Sequence, residues 1–161
     1  MNKGLSDSLK VYHTAQVRVL YADTDKMGIV YNGNYLTYFE IGRTELLRAL
    51  QLPYADLEKH GAQLPVIEAF ISYKSPAYYD DVLSIDTRCS FERGLLLRIH
   101  YSIKKDKSII SEGYTLHTFI DTISKKPIRP PALFIDTIRA NSTDSMGNEL
   151  MEIYLWNWLS C

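Results

Sequence analysis

The amino-acid sequence predicts an α+β fold in which a curved antiparallel sheet of about five strands wraps around one long central helix. One segment, from about residue 35 to residue 50, has apolar residues at helical spacing. A strand-like segment precedes it, and four segments with alternating apolar and polar residues follow it. Such alternation gives a strand one buried face and one solvent-exposed face, which is typical of antiparallel sheets. Since only one long helix is available to cover the apolar face, we expect the sheet to curve around it.

The first strand is predicted at residues 12–21. Val17, Val19 and Tyr21 alternate there with polar residues, which gives the period of two that a strand requires. Residues 22–28 follow, and they are rich in types that bond to their own backbone or tolerate unusual dihedral angles. The chain is therefore expected to turn there.

The long helix is predicted to begin after this loop and to end near Leu50. Its apolar positions recur every three or four residues, at Tyr35, Phe39, Gly42, Leu46 and Ala49. Either Asn32 or Asn34 is expected to cap its start, because an asparagine side chain accepts hydrogen bonds from the free amides of a first turn. Pro53 marks its far side.

Four further strands are predicted in quick succession, at residues 66–74, 82–92, 95–104 and 109–121. The joins are short, with Arg93-Gly94 between the second and third and residues 105–108 between the third and fourth. Short joins of this kind are typical of hairpins. The four strands are therefore expected to form a meander.

The chain of 161 residues is long enough for one ordinary domain. We expect that domain to occupy residues 1–140 and to close with a short helix at about 132–140. Residues 141–161 form a C-terminal tail that is predicted to be helical or poorly ordered. Its apolar end also suits packing on another subunit.

Composition and charge exclude several classes of protein. The formal charge is −1, from 18 Lys plus Arg against 19 Asp plus Glu, which argues against a broad nucleic-acid-binding face. No apolar run reaches the roughly 18–20 residues of a membrane span, and the first residues show no signal-peptide core. The only two cysteines, Cys89 and Cys161, form no metal-binding or disulfide pattern. We therefore expect a cytoplasmic protein without metal.

The chemistry is predicted to lie in the loop before the helix. Asp23 and Asp25 are two residues apart in a turn that leads into a helix N-terminus, where unpaired amides carry partial positive charge. Such amides can bind an oxyanion that develops on a carbonyl, while Asp25 attacks the carbonyl or deprotonates water. The alternative for an Asp-x-Asp pair alone is that both residues only stabilise turns.

Three longer strings favour the catalytic interpretation. They are YADTDKMGIVYNGNYLTYFEIGRTE at residues 21–45, YKSPAYYDDVL at 73–83 and KPIRP at 126–130. Together they closely resemble the signature of the hot-dog-fold acyl-CoA thioesterases of the 4-hydroxybenzoyl-CoA thioesterase type, including the branch associated with the Tol-Pal cluster. The resemblance spans about residues 12–138. It implies a hot-dog fold and hydrolysis of an acyl-CoA to free acid and CoA.

The resemblance also implies roles for residues of the first string. Asp25 becomes the catalytic carboxylate, as nucleophile or as general base, and Asp23 orders the loop. The oxyanion-binding amide falls at Asn32, with Gly33 allowing close backbone approach. The Tol-Pal-associated branch has His at the position of Asn32, and a neutral amide cannot replace a titrating imidazole. Tyr21 matches a tyrosine near that branch's active site, although a strand-end aromatic also serves packing.

Other residues are assigned to binding or to structure. Lys126 and Arg129 suit the phosphates of coenzyme A, although a Lys-rich turn is also commonly only solvated. Glu40 is expected to have a supporting or structural role, while Arg43 and Glu45 are expected to be helix-surface or interface charges. The four histidines lie in no recognisable nucleophile motif. No cofactor is expected beyond the coenzyme A of the substrate.

The resemblance further implies a homodimer or homotetramer whose subunits join their sheets, with the sites at the subunit interface. Two alternatives remain open at this stage. One is a hot-dog enzyme acting on acyl carrier protein thioesters, or a dehydratase, which the absence of a His-containing hydratase-type motif disfavours. The other is a non-catalytic acyl-CoA binding module. The sequence does not identify the acyl group, because side chains of two subunits shape that pocket.

Overall fold

The computed structural model of the chain describes residues 10–92 and 96–142. Within these ranges it contains a five-stranded sheet, a three-stranded sheet and three α-helices. Of the tail predicted at residues 141–161, residues 143–161 lie outside the described residues, as does the turn predicted at Arg93-Gly94.

The main sheet is antiparallel throughout and has the strand order β1-β4-β5-β6-β3. Its strands are β1 (Val11–Arg18), β3 (Val66–Tyr73), β4 (Val82–Glu92), β5 (Leu96–Lys105) and β6 (Ser108–His117). Residues on one face of β4 and β5 are buried and alternate with half-buried residues on the other face. The predicted α+β class is confirmed, and β4, β5 and β6 form a meander as expected. The four-strand meander is wrong in one respect, because β3 pairs with β6 at the edge of the sheet and not with β4, its neighbour in sequence.

Helix α1 (Asn34–Ala49) packs against the buried face of this sheet, mainly on β1 and β4. Phe39 stacks on Tyr101 of β5, with ring centroids 4.2 Å apart. At Gly42, an added Cβ would lie 2.5 Å from Thr87 Oγ1, so the helix approaches the sheet too closely for any side chain. The glycine at this helical position is therefore required by packing.

The structure differs from the predicted elements at several places. Strand β1 ends at Arg18, and Tyr21–Asp23 forms a 3-10 turn instead of the end of the strand. The predicted strand 109–121 breaks at Thr118, after which β7 (Phe119–Asp121) joins a separate sheet. That sheet has the order β2-β7-β8 and includes β2 (Ala62–Gln63) and β8 (Pro127–Ile128), while α2 (Tyr54–Lys59) precedes it. These two-residue strands and the short α2 are too brief for a periodic pattern.

Helix α3 (Ala132–Asn141) agrees with the short helix predicted at 132–140. It begins after Pro131, which cannot donate a backbone hydrogen bond and is suited to the start of a helix. Phe134 and Ile138 are fully buried, and Phe134 makes edge contacts with Phe91 and Phe119. The helix therefore closes the core between the two sheets.

Arg43, expected to be a helix-surface or interface charge, lies in a polar network with residues of other elements. Its Nε donates to the Tyr54 hydroxyl at 2.9 Å, and the hydroxyl of buried Tyr101 lies close enough to interact electrostatically with the guanidinium. Side-chain burial of an arginine requires such partners. Helical spacing alone could not show this, because the partners come from α2 and β5.

The network continues from Tyr101 to a fully buried histidine, His117. Its Nδ1 lies 3.3 Å from the Leu64 carbonyl, which only accepts, so Nδ1 donates. Its Nε2 therefore accepts from the Thr115 hydroxyl at 2.7 Å, and Thr115 accepts from Tyr101 at 2.8 Å. Burial, followed by the positive charge of Arg43, lowers the pKa of His117 to about 4. The ring is neutral in the folded protein at neutral pH.

Acidification is expected to destabilise the protein through His117. The unfolded chain binds a proton at this histidine near pH 6.5, whereas the folded protein does so only near a pKa of about 4. The stability that neutral His117 contributes is thus fully present above pH 6.5 and is lost as the pH falls toward 4. The loss amounts to at most about 1.4 kcal/mol per pH unit.

Urea unfolding between pH 4 and pH 7 measures this effect. The free energy of unfolding should fall less steeply in His117→Gln than in the parent protein. His60→Gln, at an exposed histidine, should keep the parent's slope. Equal slopes in the parent and in His117→Gln would show that His117 does not titrate between the two states.

Candidate active site

The loop after β1 forms a tight turn around Asp25. The Asp25 amide donates to the Ile29 carbonyl and the Gly28 amide donates to the Asp25 carbonyl, both at 2.9 Å. Gly28 has a φ of +77°, a conformation that glycine adopts without steric cost. The Met27 amide donates to Asp25 Oδ1 at 2.8 Å. One carboxylate oxygen is thus held in place on a half-buried side chain.

Asp23 joins this loop to helix α1. Its Oδ2 accepts hydrogen bonds from the Leu20 amide and from the Tyr38 hydroxyl, both at 2.9 Å. Its backbone carbonyl accepts from the Tyr31 amide at 2.8 Å and from Asn34 Nδ2 at 2.7 Å. Burial, followed by the adjacent Asp23 carboxylate, raises the pKa of Tyr38. These contacts are those expected of a residue that orders the loop.

The start of α1 has no side-chain cap, so the expected capping by Asn32 or Asn34 is wrong. The side-chain amide of Asn34 donates to Asp23 instead, and Gly33 occupies the cap position. The amides of Tyr35 and Leu36 donate back to the carbonyls of Asn32 and Gly33, at 3.4 and 3.3 Å. A helix start that lacks a side-chain cap keeps donors available for another acceptor.

Two amides are available at this turn. The Tyr31 amide donates to Asp23 and the Asn34 amide donates to the Tyr31 carbonyl. Among residues 10–92 and 96–142, none accepts a hydrogen bond from the amide of Asn32 or of Gly33. Unpaired donors at a helix N-terminus favour an anion or a developing negative charge.

A cleft of about 510 Å³ brings the two predicted catalytic residues together. Its lining is mainly aromatic and aliphatic, with a few polar groups, as in most small-molecule sites. The lining residues are Asp25, Met27, Ile29, Val30, Tyr31, Asn32, Tyr35, Tyr73, Lys74, Ser75 and Pro76. Tyr73, Lys74, Ser75 and Pro76 belong to the second matched string, for which no individual roles were predicted from the sequence. The match of that string to the family signature is the sequence feature that could have identified these four lining residues.

The other predicted site residues lie in different places. Gly33 follows Asn32 at the helix start, and an added Cβ there would lie 2.7 Å from the Tyr31 ring. Tyr21 is 79% exposed and packs edge-on against Tyr79, outside the lining of the cleft. Lys126 and Arg129 are exposed immediately before and after β8, and they do not line the cleft of their own chain.

Among residues 10–92 and 96–142, no group of three or more His, Cys, Asp or Glu side chains lies close enough to hold a metal ion. Among the same residues, no helix has the length and hydropathy needed to cross a bilayer.

The separate roles of the two aspartates can be tested by stability. Asp23→Ala should lower the free energy of unfolding by about 1–3 kcal/mol, because the hydroxyl of buried Tyr38 loses its acceptor. Asp25→Ala removes a single bond from the exposed Met27 and should cost less than about 1 kcal/mol. Urea unfolding of both variants provides the measurement. Equal losses would contradict the assignment of loop order to Asp23.

Comparison with known proteins gives matches over most of the chain. The Thioesterase-like superfamily matches residues 19–140. YneP of Bacillus subtilis (strain 168) is 37% identical over 122 residues, which cover 75% of this chain and 88% of that protein. The acyl-CoA thioesterase YbgC of Haemophilus influenzae is 32% identical over 116 residues, covering 71% of this chain and 85% of that protein.

Among solved structures, the crystal structure of a DHNA-CoA thioesterase from Staphylococcus aureus superposes with a TM-score of 0.74 at 33% identity. The superposition covers 80% of this chain and 87% of that one. The five-stranded antiparallel sheet with its packed helix is thus shared with thioesterases of known structure. With the match over residues 19–140, it shows that the chain belongs to the thioesterase-like superfamily and has the hot-dog fold.

Proposed function

We propose that the chain hydrolyses the thioester of an acyl-CoA to a free acid and CoA. The observation that carries the proposal is the meeting of the Asp25 carboxylate with Asn32 at one apolar cleft, where no described residue accepts a hydrogen bond from the Asn32 amide. The names of the relatives support it, since Haemophilus influenzae YbgC is named an acyl-CoA thioesterase and the Staphylococcus aureus protein a DHNA-CoA thioesterase.

In the proposed reaction, the backbone amide stabilises the carbonyl oxygen of the thioester, and the Asp25 carboxylate promotes attack on the carbonyl carbon. The acyl carbonyl oxygen becomes negatively charged as its carbon is attacked, and the Asn32 amide donates to it. Asp25 either attacks the carbon itself, forming an anhydride that water then opens, or removes a proton from attacking water. In both routes the C–S bond breaks and the sulfur leaves as CoA. The Asn32 side chain orients water or the carbonyl and transfers no proton.

Neither route calls for a metal or redox cofactor, and we propose that the protein uses none. The carboxylate supplies the base or nucleophile, and backbone amides supply the charge stabilisation. Coenzyme A enters only as part of the substrate. Its phosphates are proposed to meet Lys126 and Arg129, whose cationic groups suit phosphate oxygens. Lys126 and Arg129 do not line the cleft of their own chain. Their contact with the CoA phosphates therefore requires either a substrate bound in the cleft of a second copy or a CoA nucleotide that extends from the cleft across the surface.

We propose that the working unit is a homodimer or homotetramer joined at β3. This strand is at the edge of the main sheet, so one side of its backbone is free to pair. It also exposes large apolar side chains, namely Val66, Ile67, Phe70 and Tyr73. An exposed apolar edge strand favours aggregation unless another strand covers it. Because Tyr73 lines the cleft, a second copy on β3 would lie beside the site.

Asp25→Asn is expected to reduce kcat by at least about 100-fold while the protein stays folded, because an amide is neither a base nor a competent nucleophile. Thiol release from a panel of short, long and aromatic acyl-CoAs gives the measurement, with acyl carrier protein thioesters run in parallel. Asp106→Asn is the matched control, since Asp106 lies in the exposed turn between β5 and β6.

Three outcomes of this experiment would change the proposal. Wild-type turnover in Asp25→Asn on every substrate would remove Asp25 from the mechanism. Activity restricted to the carrier-protein thioesters would reassign the substrate. Binding of acyl-CoA without thiol release by the parent protein would favour a non-catalytic binding module.

Ile67→Lys is expected to weaken subunit association, because it places a charge on the apolar edge strand. Light scattering after size exclusion should give the parent a mass at least twice that of the 18.5 kDa chain, and Ile67→Lys a lower one. Ile123→Lys serves as control, since Ile123 is 91% exposed and lies in the turn between β7 and β8. A parent mass of one chain would refute the assembly.

A further inference from the structure

We propose that Tyr73 is a positioning residue for the oxyanion-binding turn, acting through the backbone carbonyl of Asn32. The inference rests on the proposed function. The Tyr73 hydroxyl donates to this carbonyl at 3.0 Å, across 41 residues of sequence. Among the described residues, the other donor to the same oxygen is the Tyr35 amide, at the longer distance of 3.4 Å. The phenol therefore supplies the shorter of the two contacts.

This contact controls a peptide unit that has little other restraint. A peptide bond is planar, so the Asn32 carbonyl and the Gly33 N–H move together. The Asn32 N–H belongs to the preceding peptide unit, which meets this one at the Asn32 α-carbon. Since no side chain caps the turn, the bond from Tyr73 fixes the plane that carries the Gly33 N–H, and with it the α-carbon next to the Asn32 N–H. A hydrogen bond to a carbonyl also polarises its peptide, which here strengthens the Gly33 N–H as a donor.

Tyr73 is itself held by rigid structure. It is the last residue of β3 and pairs with Ser111 of β6, and the next amide, of Lys74, donates to the Ile110 carbonyl at 2.9 Å. Its ring meets the ring of buried Tyr35 edge-on, with centroids 5.3 Å apart. A group supported by a sheet and by a packed ring can hold a turn more accurately than a loop residue can.

The hydroxyl and the ring of Tyr73 have separable roles. The ring lines the cleft, whereas the hydroxyl proton is committed to the Asn32 carbonyl. A direct substrate contact would affect binding of the acyl-CoA. A positioning role affects the amides that stabilise the transition state and leaves ground-state binding unchanged.

Tyr73→Phe, which keeps the ring and removes the hydroxyl, tests the proposal. We expect kcat to fall about 10-fold, less than the 100-fold or more that follows outright removal of an oxyanion donor. The KM should stay within about twofold of the parent, as should the Kd of an S-alkyl-CoA thioether that lacks the carbonyl. Tyr78→Phe, at an exposed tyrosine outside the cleft, should match the parent.

The rates are compared well below the melting temperature of each protein, so that a loss of stability does not lower kcat. If the parent protein is active, a kcat of Tyr73→Phe within twofold of the parent's overturns this inference and leaves the proposed function intact. A raised KM with an unchanged kcat does the same. Tyr73→Leu should be slowed at least as much as Tyr73→Phe. Slowing in Tyr73→Leu alone would assign the effect to the ring and overturn the inference. An inactive parent overturns the proposed function together with it.

Discussion

The hydrogen bonds accepted by Asp23 determine where the loop that carries Asp25 meets helix α1. The carboxylate accepts from the chain before the loop, at Leu20, and from the helix, at Tyr38. The carbonyl accepts from Tyr31, at the end of the loop. Because Tyr38 is buried on α1, the acceptor position of Asp23 is fixed by the core. The position of Asp25, two residues later, follows from that anchor.

The same anchor explains why the helix begins without a side-chain cap. The Asn34 side chain, which could cap a helix, is bonded to the Asp23 carbonyl. A capping oxygen near this turn would also compete with a ligand for helix-start donors. The turn therefore gives up a local stabilising interaction and keeps the amides of Asn32 and Gly33 available. The bond from Tyr73 compensates for part of the lost restraint, and it comes from the sheet.

Strand β3 both borders the proposed site and forms the sheet edge at which subunit association is proposed. Its paired side joins β6 and ends at Tyr73, which contacts the helix start. Its other side is the free edge of the sheet and exposes apolar residues such as Ile67. A second chain that paired with this edge would lie against the strand whose last residue, Tyr73, lines the cleft. The proposed subunit association and the shape of the proposed site therefore depend on one strand.

The sequence by itself determined those features that depend on local periodicity and local turns. The helical spacing from Tyr35 to Ala49 predicted α1, and strict alternation predicted β4 and β5, because each element buries one face of its own residues. The loop with Asp25 was also predicted from its turn-forming residues, whereas the pairing of Asp25 with Asn32 came from the resemblance to the hot-dog thioesterases.

Only the tertiary structure decided which distant residues meet. Arg43 was expected on a surface, yet its partners Tyr54 and Tyr101 come from other elements. Tyr73 reaches Asn32 because the register of β3 on β6 places it there, and no local pattern encodes that register. The break of the last long strand at Thr118 likewise follows from pairing with β2 and β8. Hydrophobic periodicity specifies which face of an element is buried, whereas strand register and helix packing specify which side chain it is buried against.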